Sequence, residues 1–92
     1  MNSDLRDTVI ACLREFSPES AAIEITDASN PILDLGLDSL KGLELACEFS
    51  ARLGVKIEAK DNPLIDYEPS IPRVRKVGEL VEHLSKLPKL TF

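Results

Sequence analysis

One serine in this chain stands where chemistry could be done from outside. It is Ser39, preceded by Asp38 and followed by Leu40, in the stretch LGLDSLKGLEL just behind Gly36. As a nucleophile it is poorly served: a serine hydroxyl needs an adjacent general base, and the only histidine, His83, has no evident claim to that role. A Ser-His-Asp enzyme is therefore not expected, no catalytic residue is assigned, and His83 is expected to be a solvated residue. The position favours an anion instead. A serine in the first turn of a helix lies among backbone N–H groups without intrahelical partners, at the positive end of the dipole, so a phosphate ester on its hydroxyl would be stabilised. Cys12 and Cys47 match no metal or redox spacing, and are expected to be a core residue and a surface residue with no metal bound.

To present Ser39, a helix must start at Asp38 or Ser39; it is expected to end near Gly54, a natural C′ glycine. At about 100° per residue, Leu40, Leu43 and Cys47 fall within about 60° of one another, and Leu45, Ala46, Phe49 and Leu53 cluster almost opposite. A small bundle needs one such stripe for its core. The longer, with Phe49, is assigned there, and the shorter, beginning beside Ser39, to a surface for partners or an apolar ligand. Burial of both is the alternative.

The remaining elements follow from periodicity and punctuation. A first helix is expected over residues 4–16, with Ser3 as N-cap, Asp4 and Asp7 in the first turn, and Leu5, Val9, Leu13 and Phe16 as its stripe. Residues 17–37 read as a long loop whose Ile23, Ile25, Ile32, Leu33, Leu35 and Leu37 should pin it to the core. The alternation of Leu33, Leu35 and Leu37 is too short, and too close to a helix start, for a strand. A last helix is expected over residues 77–87, with Val77, Leu80, Val81, Leu84 and Leu87 facing inward and Pro88 ending it. Between them, Asn62-Pro63 makes a good N-cap and N1 pair, so a short helix is expected at residues 63–66, before Pro69 and Pro72 break regularity.

Ninety-two residues suit one domain, residues 1–92, with a flexible tail from about residue 88. Apolar residues form 43% of the chain but aromatics only 4%, so the core is left to Leu, Ile, Val and Ala, as in packed helices. No signal peptide and no run long enough to cross a bilayer is present, which makes the cytoplasm the simplest setting. The net charge of −5 is uneven: −7 over residues 1–48 and +2 over residues 49–92. An acidic half around Ser39 argues against nucleic acid and favours partners with basic docking surfaces, although a solvated surface alone would explain it. Nothing suggests an oligomer seam, so a monomer is expected.

The stretch LGLDSLKGLEL resembles the prosthetic-group attachment motif of acyl carrier proteins. In that family an Asp-Ser-Leu opens the second helix and the serine carries 4′-phosphopantetheine. The likeness extends through the first-helix stripe, the long loop ending in Leu-Gly-Leu-Asp-Ser-Leu, the Glu44-Leu45 pair, the Leu53-Gly54-Val55 end and KVGELVEHL at the last helix. It implies an all-α fold, a small four-helix bundle of the acyl-carrier type with a long first loop and a short third helix. Ser39 would accept phosphopantetheine from coenzyme A through a separate Mg²⁺-dependent phosphopantetheinyl transferase, with Asp38 serving docking and the helix cap. Leu40, Leu43, Glu44, Cys47 and Glu48 would form the recognition face. The chain would then carry acyl or aminoacyl intermediates as thioesters between enzymes that load and process them, without catalysis of its own.

Some residues depart from the family pattern. Lys41 replaces a more usual acidic or polar residue, and Gly42 weakens the helix interior by roughly 1 kcal/mol relative to Ala. Lys76 stands where a threonine cap is frequent, Arg73, Arg75 and Lys76 form a basic cluster, and EAKDNPLIDYEPSIPRV is long. These features point to a specialised stand-alone carrier with fatty, polyketide or aminoacyl cargo, and Asp38 before the serine leans toward the acyl class. The basic cluster is expected either to meet an acidic partner or the arm's phosphate, or simply to be a solvated loop. The competing function is a small helical protein–protein adaptor without a prosthetic group, in which Asp38-Ser39 merely caps the helix.

Overall fold

The computed structural model describes residues 3–58 and 60–90, with the backbone alone at Ser3 and Glu19. In chain order it contains α1 (Ser3–Phe16), a 3-10 turn (Pro18–Ala22), α2 (Ser39–Leu53), a two-stranded antiparallel hairpin of β1 (Ile65–Asp66) and β2 (Arg73–Val74), and α3 (Val77–Ser85). The helix α1 begins at Ser3, one residue earlier than expected, so its cap falls outside the described residues. Its inner face is Val9, Cys12 and Leu13, fully buried, with Leu5 and Phe16 packed alongside. They meet Leu45 and Phe49 of α2 and Val77, Leu80, Val81 and Leu84 of α3 in one core. Among the described residues Phe49 is its only fully buried aromatic, as expected for a chain so poor in rings.

The long connection between α1 and α2 is fixed at both ends and in the middle. The buried Ser17 hydroxyl donates to the Leu35 carbonyl, joining the start of the connection to its finish. Asn30 closes a turn over residues 31–35: its Oδ1 accepts from the N–H groups of Ile32 and Leu33, both at 2.9 Å, and its own N–H donates to Asp34 Oδ2 at 2.7 Å. Gly36 then takes a left-handed turn, φ 72°, that lets the chain enter α2. Ile25, Leu35 and Leu37 reach the core and Ile32 packs against it, but Ile23 and Leu33 do not; both are exposed. No strand forms at residues 33–37.

The connection from α2 to α3 corrects the expected short third helix. Asn62 does cap a turn, its Oδ1 accepting from Leu64 N–H at 3.0 Å while Ile65 N–H donates to the Asn62 carbonyl at 3.0 Å. The chain goes no further as a helix, because Ile65 and Asp66 pair with Val74 and Arg73. Three α-helices are therefore present among the described residues. A second correction concerns the end of the chain. The stretch expected to be a free tail from about residue 88 is held by backbone bonds from Lys56 N–H to the Pro88 carbonyl (2.8 Å) and from Leu90 N–H to the Gly54 carbonyl (2.9 Å). Gly54 makes this possible by ending α2 in the left-handed conformation, φ 65°. The last helix stops at Ser85, two residues short of expectation, in tight i+3 bonds from Lys86 and Leu87.

Candidate functional site

The entrance to α2 is built around Asp38. Its backbone is extended (φ −124°, ψ −177°), and its Oδ1 accepts from the N–H of Lys41 at 2.8 Å while its carbonyl accepts from Gly42 at 3.0 Å. Two N–H groups of the first turn, those of Ser39 and Leu40, have no partner within the helix. Ser39 is exposed, and among the described residues none hydrogen-bonds its Oγ. The hydroxyl is thus open to solvent beside free donors, a setting that suits a phosphate ester. Leu35 and Leu37, both buried, anchor the chain on the other side of Asp38, so the exposed residues stand on a fixed base.

The two stripes of α2 separate as their spacing requires. Leu45 and Phe49 are fully buried, with Leu53 packed against the core. Leu40 is 65% exposed and Leu43 43%, and Cys47 and Glu44 are exposed as well. Leu40 and Leu43 thus lie one turn apart on the solvent-facing side of α2. Ala51, one turn beyond Cys47, and Ile57, from the chain after α2, extend the strip into a shallow groove that Leu43, Cys47 and Glu58 also line. Ala51 was visible in the helical spacing; Ile57 had no local signal.

Glu48 differs from its neighbours. It is half-buried and pairs with Arg52 Nε at 2.6 Å, and Arg52 also grips Glu15 of α1 through two bonds of 2.7 and 2.8 Å. The guanidinium holds the Glu15 carboxyl below its ordinary range, and the two carboxylates hold Arg52 firmly protonated. Glu48 therefore ties α2 to α1 as much as it faces outward. Glu44 is freer, with Lys41 at 4.0 Å.

The basic cluster is largely spoken for. Arg75, whose side chain is 14% exposed, donates to the carbonyls of Pro63 (3.0 Å) and Ile65 (2.8 Å), which fastens the chain leaving β2 to the turn before β1 and to the start of β1. Arg73 pairs with Glu79 through bonds of 3.1 and 2.5 Å. That guanidinium, with the Lys76 N–H, pulls the Glu79 carboxyl down to about 2. Glu79 in turn caps α3 by accepting from Lys76 N–H at 3.0 Å. Of the three, Lys76 alone keeps a side chain without a described ion pair. Arg73 and Lys76 remain exposed, so only Arg75 is withdrawn from the surface of the cluster.

His83 is also corrected. It is half-buried, lining a cleft of about 390 Å³ with Ile57, Pro63, Ile65 and Leu87, and burial together with Arg75 pushes its pKa down. No hydrogen bond joins it to Ser39. Cys12 is buried, which pushes its thiol up, and both cysteines are free. Among the described residues there is no cluster of His, Cys, Asp or Glu that could hold a metal ion, and no helix long and apolar enough to cross a membrane.

Sequence reasoning also missed the contact that Asn62 makes with the site. Asn62 is buried and donates its Nδ2–H to the carbonyl of Ser39 at 3.0 Å. Gly42 admits it: a methyl group at that position would overlap Asn62 Oδ1 and lie 2.7 Å from Nδ2. The glycine that looked like a weakness in the helix is the gap into which this amide fits.

The family model described as the phosphopantetheine attachment site matches residues 7–61, more than half of the chain and all of α2. No curated protein and no solved structure matches the chain.

Proposed function

This chain belongs to the phosphopantetheine-attachment family, that of the acyl carrier proteins, and from that premise we propose that Ser39 is the serine that bears its arm. The family attaches 4′-phosphopantetheine covalently to a serine, and the chain is a carrier domain. When bound, the group supplies a thiol on a long flexible arm, on which cargo is held as an activated thioester. Everything else belongs to the residues of the chain. The exposure of Ser39 at the open first turn of α2 is the observation that carries the assignment. The N–H groups of Ser39 and Leu40, which lack partners within the helix, favour the charge of a phosphodiester, and the Asp38 cap keeps the turn formed.

Leu40, Leu43 and Cys47, flanked by Glu44 and Glu48, form the docking face. Its partners are a phosphopantetheinyl transferase and the enzymes that load and process an acyl or aminoacyl cargo. An apolar strip edged by carboxylates suits basic, partly apolar grooves, and brief contacts steered by charge suit a carrier that must leave each partner. We read the chain as one carrier domain, a monomer serving a dedicated pathway in the cytoplasm, where its two free thiols would stay reduced. Asp38 before the serine favours acyl over aminoacyl cargo.

Intact-mass measurement after incubation with coenzyme A and a broad-specificity transferase tests the assignment. One phosphopantetheine should be added to the wild type and none to Ser39→Ala. No addition to the wild type, or an addition that survives Ser39→Ala, overturns it.

A further inference from the structure

Asn62 is a polar side chain that the fold buries and that the attachment chemistry leaves unused. It is 4% exposed, and both ends of its amide are engaged, Oδ1 with the Leu64 N–H and Nδ2 with the Ser39 carbonyl, each at 3.0 Å. A buried amide is tolerated when both ends are paired, and two directional bonds leave it one pose. The bond to Ser39 spans 23 residues of sequence and lands on the one residue whose hydroxyl is to be modified.

Gly42 belongs to the same device. It lies three residues after Ser39 on the helix surface, and a methyl there would collide with Oδ1 and stand 2.8 Å from the amide carbon. Glycine inside a helix is worse than alanine, so the position makes sense only if something must occupy the space. Asn62 occupies it. Held between this amide and the Asp38 cap, the Ser39–Leu40 peptide plane cannot fray, and the direction of the Ser39 Cα–Cβ bond is fixed with it.

We propose, resting on the assignment of Ser39 as the attachment residue, that Asn62 is a positioning residue for that modification. Its amide, accommodated by Gly42, locks the first turn of α2 and aims the Ser39 hydroxyl at the pantetheine-side phosphorus of the coenzyme A diphosphate presented by the transferase. The new Ser39 O–P bond replaces the P–O–P anhydride bond, adenosine 3′,5′-bisphosphate leaves, and the hydroxyl proton passes to a base of the transferase. The connection between α2 and the hairpin thereby becomes part of the modification site.

Steady-state kinetics of modification, with the full apo chain as the varied substrate, tests this. Asn62→Ala should lower kcat about tenfold and leave KM within about twofold, because orientation is lost while Leu40, Leu43 and Glu44 still dock. Gly42→Ala, which expels the amide, should show the same split. Adding it to Asn62→Ala should cost nothing more, as expected for two residues of one device. Asn62→Asp keeps the size and the acceptor for Leu64 but lacks the donor, and it replaces Asn62→Ala if that variant unfolds. A folded variant of either kind with wild-type kcat and KM overturns the proposal, and so do independent, additive losses at residues 42 and 62. A wild type that is not modified, or a Ser39→Ala chain that is, gives a different pattern: the attachment assignment falls, and the positioning role with it.

Discussion

Two connections flank α2, of similar length and equally irregular in sequence, yet they are held by different forces. The first, residues 17–37, buries Ile25, Leu35 and Leu37 and adds short bonds between its own polar groups. The second, residues 55–76, puts Val55 and Leu64 inside, but its shape depends on Arg75, Asn62 and the Arg73–Glu79 pair. The first connection supports the serine from below through apolar burial. The second reaches over to it through a hydrogen bond. Apolar anchoring tolerates change in the surrounding polar residues, whereas a polar anchor fails when one donor is removed.

The largest effect should come from breaking the apolar side. Leu35→Ala is expected to cost about 2–5 kcal/mol in chemical denaturation, the range for truncating a buried leucine. A loss below about 1 kcal/mol would mean that the polar bonds, and not burial, hold the first connection. Next in size is Arg75→Met, which keeps the aliphatic bulk but leaves the carbonyls of Pro63 and Ile65 without their donor, at about 1–3 kcal/mol. Unchanged stability in that variant would erase the contrast between the two connections.

A smaller effect depends on pH. Arg73 lowers the Glu79 carboxyl from 4.5 to about 2, so the folded state binds its proton less readily than the unfolded chain does. The stabilisation is thus complete above about pH 4.5 and disappears as pH falls toward 2. Measured against Glu79→Gln, the wild-type advantage should shrink across that window, and salt should weaken it because the pair is partly exposed. An advantage that grew on acidification would contradict the pairing. The smallest effect on stability, within about 0.5 kcal/mol, is expected for Leu43→Ser on the exposed strip. Its affinity for a processing enzyme should fall nonetheless, and full retention of binding would move the docking face elsewhere.

The three helices were legible because each carries an apolar stripe bounded by punctuation: Ser17-Pro18 after α1, Asp38 and Gly54 around α2, Pro88 beyond α3. The serine, its cap and the exposed strip were legible for the same reason, since all of them lie on one helix and obey its 100° step. The hairpin was not. Asn62-Pro63 is an equally good opening for a helix or a single turn, and the choice was made by pairing of Asp66 with Arg73 and Ile65 with Val74, seven and nine residues apart. Gly42 showed the limit most plainly, since its helix cost was visible but Asn62 was not. Arg75 looked like a surface charge because its partners are backbone carbonyls, which no side-chain pattern reveals.

The stitching of Pro88 and Leu90 to Gly54 and Lys56 has a practical corollary. It brings Lys89 to the same shallow depression as Asp4 and Leu5, at the Leu53 end of α2. The helix is 15 residues long, so that end is about 22 Å from Ser39. A fluorophore or an affinity handle carried on the side chain of Asp4 or Lys89 would sit at the pole opposite the hydroxyl, leaving the sweep of anything mounted there unobstructed.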